Sequence, residues 1–226
     1  MRLFEFSHVY NPEKNIEGED GGLDPLYQVE ATDDIINLIK TKCSDILHIY
    51  KITNKPLYRG IKKAHHQMFI ARSREDRVPT DSHHGVSDII NASLKYVDIK
   101  ARRDNSIFCT GDKDYADEFG SPYVIFPVNG FNYTWSRYYK DVILTPYAFF
   151  QLTGQRLEDI QIKLEDDPTY NPYKELGPKL VMNMGLSTKD LAKVILNGHE
   201  VWLNGEYIAI HTFHPGWAGF FEKVIN

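Results

Sequence analysis

Cysteine is scarce in this chain: Cys43 and Cys109 are the only two among 226 residues. They form no CxxC pair and no disulfide pattern, which argues against a disulfide scaffold or a thiolate zinc site and fits a reducing compartment. Long hydrophobic runs are also missing. No apolar stretch approaches the roughly 18 residues that span a bilayer. The opening Met1-Arg2-Leu3-Phe4-Glu5-Phe6 breaks into charge too soon for a signal peptide. A cytoplasmic protein with no membrane partner is therefore expected. Nor is there an excess of basic residues. Lys and Arg number 26 against 31 Asp and Glu, a net charge of −5, so nucleic acid is not a favoured partner. The sequence has no GxGxxG after a strand, no Walker loop and no GxSxG, which lowers the prospect of Rossmann dehydrogenases, P-loop enzymes and ordinary α/β-hydrolases. The nine histidines include no HExxH, and the neighbouring pairs His65-His66 and His83-His84 would point to opposite faces of a strand. No metal site is expected.

Aromatics, by contrast, are plentiful, with 14 Tyr, 12 Phe and 3 Trp, and they favour strands. The length suits one sizeable core. The reading is a single α+β domain over 1–226, with an N-terminal segment over 1–30 that contains an exposed Gly-rich loop (Asn11–Asp24). Thr32 is a candidate helix cap, and the apolar stripe Ile35, Ile36, Leu38, Ile39, Ile46, Leu47 predicts a helix through about residue 48. Pro56–Arg59 reads as a strand stopped by Gly60, His65–Ala71 as another, and Arg72–Ser82 as a polar loop. A helix is expected over Ser87–Val97, a strand ending at Thr110, a short helix over Tyr115–Phe119 and a buried strand over Tyr123–Val128. Asp141–Leu144 starts a further element. The acidic, Pro-rich stretch 161–177 reads as a surface insertion. Ser187 caps a helix to Ile195. Asn204-Gly205 predicts a hairpin joining Glu200–Leu203 to Tyr207–His211.

Several polar residues stand out against these apolar segments. Arg59 is costly to bury unless it is paired or holds an anion, so it is either a fork for phosphate or an edge-strand residue facing water. Thr110 ends its strand, where its hydroxyl either orients a catalytic group or caps a turn. Glu200 opens an apolar strand, a position from which a carboxylate can stabilise a developing positive charge. Arg72, Arg74 and Arg77 cluster within six residues and either hold phosphates or nucleic acid, the latter disfavoured by the acidic pI, or pair with Glu75, Asp76 and Asp81. Cys109 reads as a buried apolar residue.

Three blocks occur in fixed order: Lys55-Pro-Leu-Tyr-Arg59-Gly60, Ser106-Ile-Phe-Cys-Thr110-Gly111 and Asn197-Gly-His-Glu200-Val-Trp-Leu-Asn-Gly-Glu-Tyr-Ile-Ala-Ile210. They resemble the Arg, Ser/Thr and Glu strands of the ADP-ribosyltransferase superfamily. Arg72-Ser-Arg-Glu-Asp-Arg77-Val-Pro79, Asn105–Gly111 and Tyr123–Val128 with Tyr133-Thr-Trp-Ser136 also resemble proteins of large tailed phages. The resemblance implies a split two-sheet fold with flanking helices and NAD as co-substrate in the cleft, with no metal. It implies Glu200 and Thr110 as catalytic residues, and Arg59, Thr110 and Arg77 in cofactor binding. The activity implied is a phage-encoded, NAD-dependent mono-ADP-ribosyltransferase acting on a host acceptor, protein or nucleic acid. The alternative is a non-catalytic phage structural or assembly protein that keeps the fold. Arginine modifiers of the family carry Glu or Gln two residues before the catalytic Glu. Gly198 stands there instead, so arginine is not supported as the acceptor.

Overall fold

The structure, a computed structural model, describes residues 33–62, 68–77, 82–142, 144–213 and 217–226. The expected loop at 11–24, the cap at Thr32 and His65-His66 lie outside the described residues.

Two helices open the described chain, α1 (Asp33–Lys42) and α2 (Ser44–Thr53), where a single helix to about residue 48 was expected. Cys43 separates them with φ −121 and ψ 27, and its thiol points at the carbonyl of Phe126 at 3.5 Å. The apolar stripe runs on across this break, so Ile35, Ile39, Ile46 and Tyr50 all enter the same core.

The strands are β1 (Leu57–Ile61), β2 (Met68–Arg72), β3 (Ile107–Thr110), β4 (Ser121–Pro127), β5 (Asn132–Ser136), β6 (Leu186–Ser187), β7 (Glu200–Asn204) and β8 (Glu206–His211). Together they form one antiparallel sheet in the order β2-β8-β4-β1-β3-β7-β5-β6. The remaining helices are α3 (His84–Tyr96), α4 (Lys113–Asp117), α5 (Pro146–Thr153), α6 (Leu157–Asp166), α7 (Tyr173–Asn183), α8 (Leu191–Asn197) and α9 (Trp217–Ile225). The chain is thus mixed α+β. No helix among the described residues is long and apolar enough to cross a membrane.

Two features shape the sheet. β1 and β3 are joined by the single register pair Tyr58–Thr110, whereas β1 and β4 share five pairs, from Leu57–Ile125 to Ile61–Ser121. The sheet therefore has a weak seam down its middle. Only Gly205 lies between β7 and β8, yet β4, β1 and β3 stand between them in the sheet. In a flat sheet they would be about 19 Å apart at the usual strand spacing. Two Cα–Cα links span at most about 7.6 Å, so the sheet must curl until these strand ends meet.

This corrects the expected hairpin, because β7 pairs with β3 and β5 while β8 pairs with β2 and β4. A type I′ turn needs positive φ at both central residues; here Gly205 has φ +134 and Asn204 is not among the positive-φ residues. Ser73 fixes the crossing instead. Its hydroxyl accepts from Gly205 N at 3.0 Å and from Asn204 Nδ2 at 3.1 Å.

Two apolar clusters pack on the sheet. The first joins α1, α2, α8 and α9 to Phe126, Ile210, Cys109 and Val201. The second packs Ile90 and Leu94 of α3, Phe149 of α5, Ile160 of α6, and Leu176 and Leu180 of α7 around Trp202. Of the stretch 161–177 expected as a surface insertion, residues 161–171 are all exposed or half-exposed, while Leu176, in α7, enters this cluster. Leu176 is fully buried, and the prolines and Asx residues mark helix boundaries. Pro172 precedes α7, where a missing N–H costs nothing, and Asp167 and Asn171 accept from Thr169 N and Tyr173 N. Three smaller differences remain. Ser187 lies in β6 rather than capping a helix. Gly60 lies within β1 rather than ending it. Asp141–Leu144 carries no regular element among its described residues.

Candidate functional site

The strands bearing Arg59, Thr110 and Glu200 are consecutive neighbours, β1, β3 and β7. Thr110 pairs directly with Glu200, so their side chains share one face. Arg59 follows Tyr58, the partner of Thr110 across the seam, so by strand alternation its side chain leaves the sheet on the face opposite Thr110 and Glu200. At ordinary strand spacing the three backbone positions fall within roughly 10 Å.

Their side chains enter separate networks, and among the described residues no hydrogen bond or ion pair links Arg59 to Thr110 or Glu200. Arg59 is half-buried, and its Nη1 donates to the Tyr207 hydroxyl at 3.0 Å. The buried Thr110 hydroxyl donates to Gly198 O at 3.0 Å and accepts from Asp112 N at 3.1 Å. Thr110 therefore ties the turn after β3 to the turn before β7. The buried thiol of Cys109 is pushed up to about 12, chiefly by burial, with Arg59 pulling it down and Glu200 adding to the rise. Both charges thus reach the same sulfur, which is itself inert at neutral pH.

Glu200 is held most tightly. Its Oε1 accepts from Trp202 Nε1 at 2.7 Å and from Arg103 Nη1 at 3.2 Å, and its backbone N donates to Lys140 O at 2.8 Å. Burial pushes the carboxyl pKa up. Arg103 and the Trp202 N–H pull it back down, Asp141 adds to the rise and Arg77 opposes it. A carboxyl balanced in this way is a candidate for chemistry, although buried structural pairs behave similarly. Nearby, Lys140 pairs with Asp112 at 3.3 Å and lies over the Tyr115 ring. The Tyr115 hydroxyl is pushed up first by burial, then by the charge of Asp141.

Arg103 was not legible as a site residue, because Arg102-Arg103 in a polar stretch reads as solvated. It is only 5% exposed. It also donates to Val142 O at 2.9 Å and lies over the rings of Phe108 and Trp202. Of the basic cluster, Arg72 ends β2, Arg74 pairs with exposed Asp76 at 3.0 Å, and Arg77 lies 3.7 Å above the Phe108 ring. Arg77 also lines a cavity of about 270 Å³ with His84, Ser87, Asp88, Asn91 and Asp104. Arg59, Thr110 and Glu200 do not line it.

Gly198 has a physical reason to be glycine. It ends α8 at φ +65, and a Cβ there would lie 3.0 Å from Asp112 Cβ. A Glu or Gln at this position would strain the backbone.

Among the described residues, no group of three or more His, Cys, Asp or Glu could hold a metal ion. No family model, no curated protein and no solved structure matches this chain.

Proposed function

We propose that the protein is an NAD-dependent mono-ADP-ribosyltransferase. The observation that carries this reading is Thr110 directly opposite Glu200 on adjacent strands, with the Arg block on the next strand of the sheet and its Arg59 side chain on the other face. The single-pair seam also supports reading the sheet as two halves, β2-β8-β4-β1 and β3-β7-β5-β6.

In this reading Arg59 grips the dinucleotide phosphates with its planar fork. The C1′–N bond to nicotinamide breaks, and nicotinamide leaves with the bonding electrons. Ionised Glu200 accepts the ribose 2′-hydroxyl and stabilises the oxocarbenium charge, while Thr110 fixes the turns on either side. A nucleophile of the host acceptor, protein or nucleic acid, then bonds to C1′ and gives up its proton. NAD is the co-substrate and no metal takes part. The phage resemblance makes the host cytoplasm the place of action.

The test is nicotinamide release from NAD by purified protein, with and without host lysate. Glu200→Gln should lose about 2–4 kcal/mol of transition-state stabilisation, the cost of removing one electrostatic stabiliser. Activity that survives the substitution removes Glu200 from the mechanism. A second reading, a non-catalytic phage structural or assembly protein, is favoured by the enclosure of Glu200 between Arg103 and Trp202. Absence of turnover with every lysate would support it.

A further inference from the structure

Both bonds to the Glu200 carboxylate fall on Oε1. Oε2 accepts no hydrogen bond among the described residues, yet it is not one of the buried unpartnered atoms, so it reaches solvent. The side chain is 12% exposed. We infer that Arg103 is a positioning residue that tethers Oε1 of Glu200 and leaves Oε2 as the oxygen offered to a ligand. The inference rests on the transferase reading for the ligand, and on geometry for the tether.

Arg103 is suited to this task because it is itself held from several directions. Nη1 donates to Val142 O as well as to Glu200, Nη2 donates to Ser82 Oγ at 3.4 Å, and the guanidinium lies over two aromatic rings. These contacts come from the stretch before α3, the stretch after β5, and strands β3 and β7. A guanidinium fixed in this way cannot swing to solvent with its partner, as an exposed ion pair does. Trp202 approaches the same oxygen along its own strand, and the Lys140 carbonyl fixes the backbone. With Oε1 occupied, the carboxylate keeps one orientation and one available oxygen. The charged and titratable groups that act on it are Arg103, Arg77, Asp141 and Tyr115. Arg103 is the chief charge opposing the effect of burial, so it also keeps Glu200 ionised at lower pH than burial alone would allow.

The experiment follows the Glu200 carboxyl by carbon NMR in protein labelled at glutamate, with Glu200→Gln for assignment. Parent, Arg103→Lys and Arg103→Gln are titrated, and nicotinamide release is measured across the same pH range. Arg103→Gln should move the Glu200 titration to higher pH, with Arg103→Lys in between. The acid limb of nicotinamide release should move with it. Trp202→Phe keeps a ring in place and removes the second tether, so it should shift the titration the same way if the Arg103 variants fail to fold. Unchanged titration in all folded variants overturns the inference. A moved titration with an unmoved acid limb also overturns it, because the tether would then have no bearing on chemistry. If the parent releases no nicotinamide at any pH, the transferase reading falls, while the titration still decides whether Arg103 holds Glu200.

Discussion

The two halves of the sheet accommodate a charged residue in opposite ways. In the half built from β2, β8, β4 and β1, Arg59 stays half-exposed and, among the described residues, has one hydrogen bond, to a tyrosine hydroxyl. In the half built from β3, β7, β5 and β6, Glu200 sits against a buried arginine and an indole beside the second apolar cluster. A partly hydrated guanidinium keeps its donors available for a phosphate. A carboxylate taken out of water needs partners to remain charged. The seam brings the backbones of the two strands close, while strand alternation sends the Arg59 and Glu200 side chains to opposite faces of the sheet. In the proposed reaction the half-exposed guanidinium is assigned to anion binding and the enclosed carboxylate to stabilising a cation.

The contrast breaks first if the second half is loosely packed. Trp202 is fully buried among α3, α5, α6 and α7 side chains. Trp202→Ala should cost about 3–5 kcal/mol in denaturant unfolding, the range for a buried aromatic truncated to alanine. A loss below about 1 kcal/mol would mean that this half is not enclosed.

Matched deletions sharpen the comparison. Trp202→Phe removes a hydrogen bond to a buried carboxylate, and should cost about 1.5–3 kcal/mol, as bonds to charged groups do. Tyr207→Phe removes a bond to half-exposed Arg59, and should cost less than about 1 kcal/mol because water replaces the lost partner. Equal losses would erase the distinction between the halves.

A smaller effect appears with pH. The Glu200 carboxyl pKa is raised by burial above its ordinary value of 4.5, so its protonated form is the one folding favours. That contribution is fully present below about pH 4.5 and is lost as pH rises through the folded-state value. Melting curves should therefore show Glu200→Gln gaining stability relative to the parent as pH rises above 4.5. A constant difference would mean that burial does not act on this carboxyl. The smallest expected effect on stability belongs to Arg59→Lys. Its melting temperature should stay near that of the parent while calorimetric titration shows weaker NAD binding, and Arg59→Ala should bind more weakly still. Unchanged NAD binding in both would remove Arg59 as an anchor.

Local chemistry made much of this legible. Leu57-Tyr58, Ile107-Phe108 and Val201-Trp202-Leu203 are short β-favouring runs, and all three form strands. The expectation failed where local signals serve a non-local purpose. Asn204-Gly205 has the composition of a hairpin turn but joins strands that pair elsewhere. Pro172 and Asn171 look like loop residues because they stand at the start of α7, whose buried Leu176 only the second cluster explains.

The sequence by itself determined that Arg59, Thr110 and Glu200 each sit on or at the end of a short apolar strand, because strand formation at these segments depends on residues a few positions away. Only the tertiary structure decided that the three strands are neighbours, that β7 crosses at Gly205 to the other half of the sheet, and that Glu200 is held by an arginine 97 positions earlier in the chain. Those outcomes depend on which strands pair across long stretches of chain and on what the curled sheet brings together. No pattern confined to a few neighbouring residues encodes either.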